Sequence, residues 1–269
     1  MVRKLYKHEF RAWLRVMPII YTVMLTVAVM HRLLQVFEAD SIFYYIPLVS
    51  AFIAYFIVLY AGIFSPVVFG VVRFYRNMFT SEGYLTMTLP VTAAQHLWVK
   101  VSTAACFYAL TLLVGVITGL ILTAGDMFTE LCKAAAYLMK DIPGDVMRHL
   151  IIMAVEMLIA FLVAPFSSFL LYYACLCIGQ LFRKMRILAA IGAYFCYYLI
   201  NQAIGTVFSI LFSMMAVTGL IEMLAEFMDK LGDASIHLVI LAGILISGVL
   251  ALVYFLVCHY ILQKKLNLE

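Results

Sequence analysis

The sequence predicts an all-α, polytopic membrane protein: six transmembrane helices with an N-terminal amphipathic interfacial helix. Of 269 residues, 67% are hydrophobic and only 12% are charged, whereas a water-soluble domain carries about 25% charge to hydrate its surface. With histidine counted as neutral, the apolar residues gather into six uncharged runs: 16–31, 41–72, 101–125, 157–182, 187–221 and 234–263. Barrel strands would be about 10 residues long with alternating polarity, a pattern absent here, so helices are the elements left to satisfy their backbone in lipid. A formal net charge of +4 without a long basic run points away from nucleic acid and from disorder.

Residues 1–15 read as a basic amphipathic helix. Val2, Leu5, Tyr6, Phe10, Trp13, Leu14 and Met17 recur at helical spacing, and Arg3, Lys4, Lys7, Arg11 and Arg15 take the other face. Such a helix lies in the membrane interface, its charges meeting anionic headgroups or an acidic protein partner. Five basic residues and Glu9 interrupt any signal-peptide core, so the N-terminus is expected to be retained. The first run reaches spanning length by extending past Arg32 to Phe37, with Arg32 snorkelling to the headgroups.

The second and fifth runs have 32 and 35 residues, about 48 and 52 Å of helix across a core of about 30 Å. The excess of the second is expected to continue as helix into the cytoplasm. That of the fifth is expected to end in a re-entrant turn near Thr218 and Gly219. Segments 125–148 and 220–235 read as short amphipathic helices on the outer surface, within a six-span domain covering 16–263. Residues 264–269 form a cytoplasmic tail. With both termini cytoplasmic, thirteen of the eighteen basic residues fall inside, together with only Glu9, Glu82 and Glu269 among the acids, as the positive-inside rule requires.

Several polar residues interrupt the spans. Glu156, in the outer part of the fourth span, has no basic residue at i±3 or i±4; an intramembrane acid needs a partner or a proton. Arg32 or His237 would supply a structural partner, and a titrating role in transport is the alternative. Asn201 and Gln202 sit near the middle of the fifth span, where amides bond neighbouring helices or touch a passing substrate. Gly115 and Gly119 form a GxxxG that permits close helix approach. Pro165 should kink the fourth span, with Ser167 and Ser168 available to the freed carbonyls. Five of the six cysteines lie in apolar runs, without CxxC or Cys/His spacing, so neither a metal nor a disulfide framework is indicated.

The loop between the second and third spans, 73–96, carries the most information. Ser81 can cap a short helix over 81–89, Glu82 suits its first turn, and Pro90 ends it. Thr92 and Gln95 fit a capping box, so the third span should start near Ala93, with Trp98 in the interfacial belt. This loop, "RFYRNMFTSEGYLTMTLPVTAAQHLWVK", resembles that of the membrane subunits of type-2 (ABC-2) ABC exporters, in particular the compact permeases of Gram-positive bacteria. The basic N-terminus, the six-span layout and the C-terminal "ILQKKLNLE" extend the resemblance over nearly the whole chain. It implies that Glu82, Gly83, Tyr84 and Leu85 form a coupling helix docking into a groove on a separate ATP-binding cassette subunit. It further implies a second permease copy or a sister permease, and a place in the bacterial cell membrane.

The chain has no GxxxxGK[ST] among its fourteen glycines, so ATP and Mg are expected on the partner and no cofactor on this chain. No HExxH, GxSxG or paired intramembrane carboxylates occur, and no catalytic residue is assigned. The function expected is a permease subunit of an ATP-driven exporter. The alternative is an ion- or proton-coupled secondary transporter or channel, although no clear internal repeat is seen.

Overall fold

A computed structural model describes residues 2–37, 42–80, 83, 88, 90–140, 142–182, 184–220, 222–223, 226, 232 and 234–264. Among them the chain is all-α: α1 (Val2–Val36), α2 (Ile42–Phe79), α3 (Ala93–Thr123), α4 (Asp126–Lys140), α5 (Gly144–Gly179), α6 (Arg186–Val217) and α7 (Ala234–Lys264). Six of these are long and apolar enough to cross a membrane. At 31 to 38 residues, those six extend about 46–57 Å, enough to pass through the hydrocarbon core and both interfaces. The chain is therefore a polytopic helical membrane protein.

The structure joins two elements that charge had separated. Residues 2–15 and the first span form one unbroken helix, α1, because a cluster of charge interrupts hydropathy but not the i to i−4 hydrogen-bond ladder. The basic residues Arg3, Lys4, Lys7, Arg11 and Arg15 are all exposed, as an amphipathic segment requires. Its opposite face packs on protein. Trp13 stacks on Phe107 of α3, centroids 5.1 Å apart and planes at 14°, and meets the edge of Phe69 of α2 at 4.8 Å.

The chain divides into two compact units. The first holds α1, α2 through Met78, α3 and α4. In it α1 and α3 run parallel, since Tyr6 bonds Ser102 and Tyr21 bonds Thr111 farther along both helices. Antiparallel α2 joins them through Trp13–Phe69 at one end and His31–Phe52 at the other. Pro66 cannot donate to the Gly62 carbonyl, and the Ser65 hydroxyl takes its place at 2.7 Å, so α2 continues through the proline. The Gly115/Gly119 surface faces α2: a Cβ on Gly115 would lie 3.5 Å from Leu59 and one on Gly119 3.9 Å from the Tyr55 hydroxyl. Those glycines thus seat side chains of α2.

The expected second-span extension appears as α2 running to Phe79, and α3 begins at Ala93 behind the Thr92/Gln95 capping box, with bonds of 3.3 and 3.2 Å. The connection is therefore 80–92, shorter than the 73–96 loop read from sequence. α4 follows a turn at Gly125, whose φ of 109° suits a residue without Cβ.

The second unit holds α5 from Arg148 onward, α6 and α7. Here α5 and α7 run parallel, meeting at Glu156–His237 and again at Leu170–Cys258. Antiparallel α6 is seated by Tyr172–Tyr194 and Tyr197–Tyr254 ring contacts. The tight turn between α5 and α6 depends on Gly179: a Cβ there would lie 2.6 Å from the Arg186 carbonyl and 2.7 Å from Ala190 Cβ. Pro165 lies within α5, whose Ser168 hydroxyl bonds the Ala164 carbonyl at 3.0 Å. α6 runs unbroken to Val217 and closes on Thr218, with Gly219 at φ 75°; most of 220–235 lies outside the described residues.

Candidate functional site

Two buried polar clusters stand out, one in each unit. In the first, Glu9 of α1 lies on the stripe that carries Trp13 and Met17, which turns its carboxylate inward. Arg73 Nε of α2 donates to Oε2 at 2.6 Å, Lys100 Nζ of α3 donates to Oε1 at 2.7 Å, and Asn77 Nδ2 lies 3.4 Å from Oε1. The side chains of Glu9 and Lys100 are each only 5% exposed, and that of Arg73 is 25% exposed. A carboxylate so far from water is sustained by its paired cations, and deleting it would break two charge pairs, one of them fully buried. One turn before Lys100, His96 is buried with neither ring nitrogen hydrogen-bonded.

The placement of this cluster matters. Arg73 lies less than two turns before the end of α2, and Lys100 lies two turns after the start of α3. The carboxylate thus binds to α1 both helices that flank the 80–92 connection. The bonds that join these helices to α1 are charge-assisted, and such bonds are shorter and stronger than neutral ones.

Of the four coupling residues inferred from the resemblance, Gly83 is buried and donates its N–H to the Thr80 carbonyl at 2.7 Å. Glu82, Tyr84 and Leu85 lie outside the described residues, as does the capping candidate Ser81.

In the second unit Glu156 is buried, and His237 Nδ1 approaches its Oε2 at 2.9 Å. His237 is one of the two partners named from sequence. The cluster extends further, since His237 Nε2 lies 3.1 Å from Nδ1 of His149, with the rings stacked 5.4 Å apart. With Glu156 ionised, Nδ1 of His237 carries the proton it donates. Its Nε2 then accepts from His149 if the ring is neutral and donates if it is cationic. The three groups form a continuous hydrogen-bonded chain from α7 to two successive levels of α5.

Asn201 and Gln202 are exposed on α6, and Asn201 Nδ2 bonds the Tyr197 carbonyl of its own helix at 3.0 Å. Among the described residues, Asn201 thus bonds within its own helix. Three substrate-path candidates therefore separate into one buried carboxyl group and two amides on an exposed helix face.

Sequence reasoning missed the Glu9 cluster because it placed Glu9 on neither face of the N-terminal helix and read it as a charge that interrupts a signal-peptide core. Its signal was its spacing: Glu9, Trp13 and Met17 recur every four residues, placing an acid on the apolar side. His149 gave no such signal. No group of three or more His, Cys, Asp or Glu side chains among the described residues could hold a metal ion. No protein-family model, curated protein or solved structure matches the chain.

Proposed function

We propose that the chain is the permease subunit of a type-2 ABC exporter in a bacterial cell membrane, with both termini cytoplasmic. It would form the substrate path with a second copy or a sister permease and take its energy from a separate ATP-binding cassette subunit that holds ATP and Mg. The observation that carries this reading is the Glu9–Arg73–Lys100 cluster, which ties α1 to the two helices leaving the 80–92 connection. A partner that pushes on Glu82 to Leu85 would move three spans together.

Purification of the tagged chain from its native membrane, followed by mass analysis, tests the reading. An ATP-binding cassette protein should co-purify in stoichiometric amount. Recovery of the chain alone, with transport sustained by a proton gradient and unaffected by ATP depletion, would overturn it. That second result would instead favour the ion- or proton-coupled transporter, for which the Glu156–His237–His149 chain is the supporting observation.

A further inference from the structure

At the end of the first unit remote from Glu9, a cavity of about 310 Å³ opens between α1, α2 and α3. Its wall is mainly apolar, from Leu48, Val49 and Phe52 of α2 and Leu122 of α3, with His31, Gln35 and Thr123 as its polar members. We propose that this cavity binds one small neutral amphiphile, a hydroxyl-bearing hydrocarbon the size of a medium-chain alcohol or a bicyclic phenol. The inference rests on the first unit alone and does not require ATP coupling.

Size sets the first limit. A closed, dry cavity of about 150 Å³ takes one benzene; this half-open one, of about 310 Å³, has room for one ligand of up to about twice that bulk. It also lies at the lower end of the range of small-molecule pockets, which join an apolar wall to a few polar groups.

The polar groups then select the headgroup. His31 is 3% exposed and carries an Nδ1 without a partner, although its ring is held at 5.6 Å from Phe52. A buried ring nitrogen without a hydrogen bond is costly in apolar surroundings, and a ligand that bonds it recovers part of that cost. Gln35 has its Oε1 occupied by Arg32 Nη1 at 2.9 Å, which turns its amide N–H groups to donor duty. Thr123 donates to the Gly119 carbonyl at 3.2 Å, which leaves its oxygen as an acceptor. An imidazole and an amide donor from α1 and a hydroxyl acceptor from α3, lining one cavity, match a group that both donates and accepts, which a hydroxyl does and a hydrocarbon does not.

Photolabelling of the full chain in lipid nanodiscs with a diazirine analogue of octanol tests this. Adducts should saturate, map to the α1–α2–α3 wall, and be displaced by octanol at concentrations at which octane does nothing. Val49→Trp, which fills the cavity, should lower wall labelling at least about fivefold, and His31→Leu should weaken octanol displacement about five- to tenfold, the loss of one net hydrogen bond. Gln35→Leu should act in the same direction if the His31 variant does not fold. Equal displacement by octane, or unsaturable adducts spread over the exposed faces of α6 and α7, would overturn the proposal. These outcomes are independent of whether an ATPase co-purifies.

Discussion

Replacing Glu9 with Gln probes the ionic core of the first unit. The substitution keeps shape and removes the charge that two cations share at 2.6 and 2.7 Å. Lys100, 5% exposed, has no route to water without helix movement, whereas Arg73, 25% exposed, can turn part of its guanidinium outward. Breaking a buried pair costs about 3–5 kcal/mol, and the relief open to Arg73 places Glu9→Gln near the low end, at about 3 kcal/mol. The assay is reversible unfolding in mixed micelles. A double-mutant cycle with Lys100→Met isolates the pair: the double variant should recover at least about half of the loss, since it removes the buried lysine that Glu9→Gln deprives of this carboxylate. A Glu9→Gln variant within about 0.5 kcal/mol of wild type, the scale of an ordinary surface change, would refute the view that this carboxylate holds the three helices together.

Four further outcomes follow from particular residues. Glu156→Gln should lower stability and alter the pH dependence of transport if the His237–His149 chain carries a proton; lower stability with an unaltered pH profile would assign Glu156 a purely structural role. Gly179→Ala should cost about 1–3 kcal/mol, because the added methyl meets the Arg186 carbonyl and Ala190. Gly192→Ala, with nothing within 4 Å, should change unfolding by less than about 1 kcal/mol. An impermeant maleimide applied to intact cells should label a variant retaining only the exposed Cys132 and miss one whose single cysteine is Ser81→Cys; the reverse pattern would invert the proposed orientation.

Much of the architecture was legible because the bilayer imposes a simple requirement. Long uncharged runs become helices, and a Thr92/Gln95 pair marks where α3 begins. The join within α1 was not legible, since Arg15 and its neighbours mark a change of solvent and not an end of hydrogen bonding. Glu156 announced its need for a distant partner by having none nearby in sequence, and His237 fills that need. The Glu9 cluster is different. Its partners lie 64 and 91 residues away, and Lys100 looks like any boundary lysine until α1 and α3 are seen to run side by side. The His31 cavity was equally hidden, because a void is set by packing among three helices and leaves no mark on the periodicity of one.

The proposed coupling is tested most directly by ATP hydrolysis in a reconstituted complex of the chain with the cassette subunit proposed as its partner. Truncating a buried charged member of such an interface costs about 2–5 kcal/mol of binding. Glu82→Arg, and separately the paired change of Tyr84→Ala and Leu85→Ala, should leave membrane insertion and abundance intact while abolishing transport-coupled stimulation of hydrolysis and weakening ATPase co-purification. Wild-type stimulation in both variants at normal abundance would contradict coupling through this loop and return the ion- or proton-driven transporter to first place.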